Sequence, residues 1–493
     1  MRAPCTGLAL RAAAVGLKSL PHTWQRLAFS LTRDPHIGQI LVGEEGLFVV
    51  IVFFIGSGID QILDGIIPAF LIPSFHVLFN HLRKSPGLCY AGSMHPYSIY
   101  IHIPFCRQRC GYCDFNTYAG QEGLIPSYID ALCNEIIGLT TLAGKPIPIH
   151  TIFLGGGTPS IVPISNLIKV MQTIKDHFDL LPQPEITLEA NPGTVTQEYL
   201  EKLVEIGFNR ISYGMQSADA ELLHLLNRKH NYNDVINAVK WARQVGFQQI
   251  NLDLIFGICN QAMETWQDSL NRALDLNPDH LSLYALTLEQ GTPLFNQVLQ
   301  GKVPEPDADL AADMYEWASA RLDTAGYMQY EISNWAKSAS ENRSYFCRHN
   351  LQYWRNQPYL GFGAGAHGYA GSYRIANVSG IKPYIERILR AEWDQYPFSP
   401  ATDSRIYIER RAEMQETMMV GLRLVQEGVS ASQFFDRFGQ SLQSVFGKEI
   451  DKSIHLGLLE WAGDNADTIR LTRRGRLLGN RVFMDFVEDS KSD

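Results

Sequence analysis

The chain has 493 residues, 45% of them hydrophobic and 19% charged, which is enough apolar content for a sizeable core and too much for a largely disordered protein. Its formal net charge of −9 comes with no obvious basic face, so no nucleic acid is expected as a partner. Of its eight cysteines, Cys106, Cys110 and Cys113 crowd together while the rest are scattered. A secreted disulfide scaffold would be smaller and denser in cysteine, so the pattern fits metal ligation in a reducing, cytoplasmic compartment.

The first segment, 1–93, reads differently from the rest. It opens with Arg2, Arg11, Lys18 and Arg26 and no acid before residue 30, as a targeting peptide can. The run Leu47–Ile55 is continuously apolar, but Gly56, Gly58, Asp60, Gln61, Asp64, Pro68 and Pro73 break up the residues after it, short of the about 20 apolar residues a membrane helix needs. With no clean period ahead of Met94, this segment is expected to be an appendage outside the fold.

From Tyr97 short β-like runs alternate with amphipathic helical stretches. Strands are expected at Ser98–Ile103, His150–Leu154, Glu185–Ala190, Arg210–Tyr213, Gln249–Leu254 and His280–Tyr284, with helices near 126–143, 163–178, 196–206, 218–226, 231–245 and 262–276. Six βα units imply a parallel sheet with helices outside it, an α/β partial (β/α)6 barrel of TIM type over 94–330. In such barrels chemistry sits at the C-terminal strand ends. A barrel-closing segment is expected over 331–390. From 391 to 493 the reading is a small helical, winged-helix-like domain, with a long helical run over Arg405–Leu424, a hairpin around Gly457–Leu471 and a last helix from Thr472.

The loop after the first strand reads Cys-Arg-Gln-Arg-Cys-Gly-Tyr-Cys from Cys106 to Cys113, a C-x3-C-x2-C spacing. Iron–sulfur clusters normally take four thiolates. Three leave one iron open, and an open position is what makes a metal centre catalytic. A zinc site would want a second pair of ligands, and none is visible. The loop therefore points to a [4Fe–4S] cluster on Cys106, Cys110 and Cys113.

Gly155-Gly156-Gly157-Thr158-Pro159 follows the second strand; glycines at a strand end allow close backbone approach to a ligand and leave N–H groups free. Glu189 ends the third strand, Gln216 follows the fourth, Arg228 lies twelve residues further on, and Asp253 ends the fifth. Their shared edge of one barrel suggests a single pocket.

Together these motifs resemble the radical S-adenosylmethionine (SAM) superfamily over about residues 97–487, and within it the oxygen-independent coproporphyrinogen III oxidase family with its HemW-type haem chaperones. The resemblance implies SAM as a second cofactor, with its amino and carboxylate groups on the open iron, and contacts from Tyr100, Gly156, Gly157, Thr158, Glu189, Gln216, Arg228 and Asp253 and from the backbone of Tyr112. The oxidases continue C-x2-C-x-C, whereas Phe115 stands two residues after Cys113; this favours the chaperone branch. So does the run from His349 to Trp354, His-Asn-Leu-Gln-Tyr-Trp, which resembles the haem-associated motif of HemW-type proteins and implies haem as a ligand of His349, Asn350, Tyr353 and Trp354. Imidazole can be an axial iron ligand, and an aromatic pair can pack on a macrocycle; without the resemblance, such a cluster could equally be a barrel plug. His367 is a second histidine of interest, with a structural role expected.

Two functions of different class are implied. A haem chaperone would bind haem and pass it to an acceptor protein, a membrane-associated one being an option. A radical enzyme would decarboxylate coproporphyrinogen III in porphyrin biosynthesis. An RNA- or protein-modifying radical SAM enzyme is more distant. The sequence leaves the acceptor and the oligomeric state open.

Overall fold

The computed structural model describes residues 95–337, 345–390, 392–463 and 466–487; the readings made for 1–93 lie outside the described residues. All six expected βα units are present: strands β1 (Tyr97–Ile103), β4 (Pro148–Gly156), β5 (Asp179–Ala190), β6 (Arg210–Gln216), β7 (Gln249–Phe256) and β8 (His280–Ala285) pair in parallel in that order. The short β2 (Phe105–Cys106) and β3 (Tyr118–Ala119) pair with each other inside the cysteine loop. Helices α1 (Ile125–Ala143), α2 (Ile164–His177), α3 (Gln197–Ile206), α4 (Ala220–Leu225), α5 (Tyr232–Val245) and α6 (Met263–Asp275) fill the crossovers. Local chemistry sets their ends: Asn231 and Asp234 form a capping box ahead of α5, and Gly207 and Gly246 end α3 and α5 in left-handed conformations, which only glycine adopts at little cost.

Period-two alternation divides each strand between two environments. One face carries Ile99, Ile101, Ile103, Ile152, Leu154, Ile186, Leu188, Ile211, Ile250, Leu252 and Leu254, all in one apolar core with the helices. The other face is polar although buried: Ser98, Thr151, Glu185, Thr187, Arg210, Ser212, Asn251, His280 and Ser282, with Asp253 half-buried among them. Many of these residues bond one another across the lumen, as when Ser212 and Asn251 both donate to Asp253 and His280 bonds Asn251 and Tyr330. A lumen filled this way is a site lining rather than a hydrophobic plug.

After β8 come α7 (Pro293–Leu299), α8 (Ala308–Thr324), β9 (Tyr327–Glu331) and β10 (Asn334–Lys337), then α9 (Arg348–Trp354), β11 (Tyr359–Phe362), β12 (His367–Ala370), β13 (Tyr373–Asn377), α10 (Ile381–Arg390) and β14 (Thr402–Tyr407). The sheet has twelve strands in the order β14-β13-β12-β11-β1-β4-β5-β6-β7-β8-β10-β9. β11 adds a seventh parallel strand beside β1, and the outer strands are antiparallel. The long helical run expected over Arg405–Leu424 is corrected here. Thr402–Tyr407 pairs with β13, and the helix, α11, covers only Arg410–Gly421. Its first residues are too few to show a period, and pairing with an open sheet edge decided their conformation.

The last elements are β15 (Val429–Ser430), α12 (Ala431–Phe438), α13 (Leu442–His455), β16 (Leu459–Ala462), β17 (Thr468–Leu471), α14 (Arg473–Leu477) and α15 (Gly479–Asp485). β16 and β17 form the expected hairpin, to which β15 adds a third strand, and Phe434, Phe438, Phe446 and Phe486 supply an aromatic core. Among the described residues no helix is long and apolar enough to cross a membrane.

Candidate functional site

The three cysteines lie where β1 gives way to the first crossover. Cys106 is buried, while Cys110 and Cys113 are half-buried. The loop is held by many local bonds. Arg109 donates to the carbonyls of Cys113 (3.1 Å) and Phe115 (3.4 Å), Asn227 donates to the Arg109 carbonyl and accepts from Gln108, and the Gly111 N–H donates to the Leu226 carbonyl. Burial, and then the neighbouring Cys110 and Cys106 thiols, push the Cys113 thiol up to about 12. A buried thiol raised in this way becomes a thiolate most readily beside a cationic centre. Among the described residues no three His, Cys, Asp or Glu converge closely enough for a single metal ion. A cube that takes one thiolate at each of three iron corners asks for wider spacing than a single ion does.

The glycine run closes the site from the next strand. Gly157 and Thr158 donate their N–H groups to the Ile103 and Phe105 carbonyls, both at 2.8 Å. A Cβ on Gly157 would lie 2.6 Å from the Phe105 oxygen, so the strand end can lie against the cysteine loop only as glycine. Gly156 has φ 111° and a Cβ there would strike the His102 ring at 2.4 Å. Thr158 donates from Oγ1 to Cys106 Sγ at 3.5 Å.

The other expected contacts gather at the same end. The Gly156 N–H donates to Glu189 Oε2 at 3.0 Å. Arg228 donates from Nη1 to Cys110 Sγ at 3.4 Å and from Nη2 to the Gly214 carbonyl at 2.6 Å; its Nε is buried without a protein partner. Gln216 has φ 64°, a left-handed turn that brings its amide within 2.8 Å of the Cβ position of Gly214. Asp253 sits deeper, its pKa raised chiefly by burial and partly offset by its bonds to Ser212, Ser282 and Asn251. The Tyr100 hydroxyl bonds His102 Nδ1 at 2.9 Å. Tyr112 packs among Leu222, Leu226 and Leu294. The glycine cradle and the buried, unpartnered Arg228 Nε fit an amino-acid carboxylate beside three thiolates.

The segment from His349 to Trp354 lies at the opposite, N-terminal end of the strands, on α9. The Glu185 carboxylate at the foot of β5 accepts from the Arg348 and His349 N–H groups and from the Cys347 thiol. Thr151 donates to Ser98 and so accepts from His349 Nδ1 at 2.8 Å, which leaves Nε2 to accept from the Tyr353 hydroxyl at 2.8 Å. Burial, then His150 and Arg210, lower the His349 pKa to about 3, so the ring is neutral. Asn350 and Trp354 lie on the other face of the helix: Asn350 bonds Tyr330, and Trp354 carries the Arg423 guanidinium at 4.5 Å. The four residues do not face one common surface, and Nε2 of His349 is bonded to the Tyr353 hydroxyl. His367, at the start of β12, has its pKa lowered to about 3 by burial and then by His102 and Arg374.

Comparison with known proteins fits this geometry. Residues 100–273 match the radical SAM superfamily and residues 408–478 the HemN C-terminal domain. The chain is 38% identical over 394 residues to the heme chaperone HemW of Bacillus subtilis, covering 79% of this chain and 99% of that protein. The chain belongs to the HemW family of radical SAM proteins.

Another relative, the zebrafish (Danio rerio) radical S-adenosyl methionine domain-containing protein 1, mitochondrial, is 34% identical over 71% of this chain and 78% of its own length. Coproporphyrinogen III oxidase (HemN) of Escherichia coli shares the fold, with a TM-score of 0.68 at 24% identity over 80% of this chain and 90% of that one. Membership of the radical SAM superfamily brings a [4Fe–4S] cluster and SAM as cofactors. The motifs are legible in the sequence, but their supports, His102, Phe153, Glu185, Thr151 and Asn227, lie outside them, although inward polar residues recur at every second position of β1 (Ser98, Tyr100, His102) and β5 (Glu185, Thr187, Glu189). That alternation was the available signal.

Proposed function

We propose that this chain is a haem chaperone, which binds haem and passes it to an acceptor protein while carrying a [4Fe–4S] cluster and SAM. The observation that carries the reading is the match along 99% of a relative named heme chaperone HemW. Phe115 in place of a further cysteine supports it over the oxidase reading.

In this reading Cys106, Cys110 and Cys113 hold the cluster. Gly156, Gly157, Thr158, Glu189, Gln216, Arg228 and Asp253, with Tyr100 and the Tyr112 backbone, would hold SAM beside them. The cluster supplies an electron that can cleave the sulfonium when one is needed. The chain's own residues bind and orient: Arg228 offers a charge-assisted donor for a carboxylate, Glu189 can accept from an amino group, and Asp253 can accept from hydroxyls. The segment His349, Asn350, Tyr353 and Trp354 remains the haem element of the reading, reached only when Tyr353 releases His349 Nε2. A cytoplasmic setting and a membrane-associated acceptor belong to the same proposal. So does the division of the chain into 1–93, 94–330, 331–390 and 391–493; β14 pairs with β13 of the main sheet and the HemN C-terminal match spans 408–478.

The test is anaerobic incubation of the cluster-loaded chain with coproporphyrinogen III, SAM and a reductant, alongside transfer of bound haem to an apo-haemoprotein. Haem transfer without conversion is expected. Conversion to protoporphyrinogen IX overturns the pure-chaperone reading.

A further inference from the structure

A continuous column of rings runs down the barrel lumen from the glycine cradle to α9. At the top, the His102 ring lies 2.4 Å from where a Gly156 Cβ would be, and the edge of Phe153 lies 2.9 Å from the Cβ position of Gly155. His102 Nε2 also bonds the Asn116 carbonyl at 2.9 Å, just after the cysteine loop, and its Nδ1 meets the Tyr100 hydroxyl. Tyr100 stacks on Phe153 at 6.3 Å and 27°. Phe153 stacks on His349 at 5.0 Å and 25°, and His349 meets Tyr353 edge-on at 5.0 Å. The bottom is fixed by the hydrogen bonds of His349 to Thr151 and Tyr353 and by Glu185, which anchors the start of α9.

We propose that His349 is a positioning residue of the SAM site, acting through Phe153 on Tyr100 and on the floor beneath Gly155 and Gly156. The β1–β4 ladder and the Glu189 carboxylate hold the backbone of Gly155 and Gly156, and the His102 and Phe153 rings form the surface directly beneath them. Of these two rings, Phe153 is held flat by His349. Close-packed rings transmit displacement because the interior has little free volume to absorb it. The His349–Trp354 segment therefore serves two ends of the lumen: it closes the bottom, and it sets the geometry of the cofactor site above. The proposal rests on the reading that SAM lies beside Tyr100.

The test uses the full chain with its cluster reconstituted, and titrates SAM against the EPR spectrum of the reduced cluster. Phe153→Leu removes the stack without touching a hydrogen bond, and His349→Gln keeps polar partners for Thr151 and Tyr353 but loses the ring. Both are expected to retain the iron–sulfur absorbance and to bind SAM about tenfold more weakly than wild type, the effect of uncoupling neighbouring residues. Their SAM-bound EPR signal is also expected to differ from that of wild type. Arg355→Gln, which breaks the exposed pair with Glu427 just past α9 and leaves every ring of the column in place, should titrate as wild type. Variants that match wild type in affinity and spectrum overturn the proposal alone, as does an equal loss in Arg355→Gln. A wild type with no spectral response to SAM overturns the underlying reading, and the proposal with it.

Discussion

Arg228 donates to Cys110 Sγ at 3.4 Å across 118 residues of sequence, and the same guanidinium holds the Gly214 carbonyl at 2.6 Å. One side chain thus ties the cysteine loop to the end of β6. Its remaining buried Nε faces no protein acceptor. Arg228→Lys keeps the charge but loses the fork. It is expected to weaken SAM binding about tenfold or more, by the worth of a charge-assisted hydrogen bond from Nε, while the iron–sulfur absorbance persists. Isothermal titration under anaerobic conditions reads the first effect and visible absorbance the second.

Cys110→Ala should abolish the iron–sulfur absorbance after reconstitution, because two thiolates cannot replace three at a site already open at one corner. Retention of four irons per chain by metal analysis would refute the ligand assignment.

Gly157→Ala places a methyl group against two backbone carbonyls rather than a flexible side chain. The contact cannot be relieved by a rotamer change, so the cysteine loop must move. Destabilisation of about 1–3 kcal/mol is expected, as for other overpacked sites, together with poor cluster incorporation. Denaturant unfolding of the apo-protein and iron content measure the two separately.

Haem titration of His349 variants tests the lower end of the lumen. Tyr353→Phe removes the hydroxyl that occupies Nε2 and should tighten haem binding, whereas His349→Ala should weaken it. If neither substitution changes the Soret titration, haem lies elsewhere on the chain.

Acidification should destabilise the fold below about pH 6.5. His102 and His230 have pKa values lowered to about 4, and His349 and His367 to about 3; His150 and His280 are also lowered. Burial is the largest cause for each. An unfolded histidine takes up a proton near 6.5 while its folded counterpart stays neutral, so the stability these groups contribute is complete above that pH and lost as pH falls toward 3–4. Each contributes a slope of about 1.4 kcal/mol per pH unit within its window. Glu135, Asp253 and Glu331, raised by burial, carry the opposite sign, but three carboxyls are outnumbered by six histidines. Thermal unfolding between pH 7 and 4.5 should show a falling midpoint, with a shallower fall in His349→Gln; a flat or rising profile would contradict the shifts.

The sequence by itself determined the six βα units, because strands with one apolar face and amphipathic helices announce themselves by period, and it determined the cysteine loop, because C-x3-C-x2-C is a contiguous motif whose chemistry follows from its spacing. It also placed Gly156, Glu189, Gln216 and Asp253 at strand ends, where a parallel barrel must gather them. Only the tertiary structure decided how Arg228 reaches Cys110, that β11 to β14 extend the sheet, and that Thr402–Tyr407 is a strand, since each depends on partners distant in the chain that leave no local period. The same holds for His349. Its motif was legible, but which way the imidazole points was not, because that is set by Thr151, Tyr353, Phe153 and Glu185, brought together from three separate elements by the closure of the barrel.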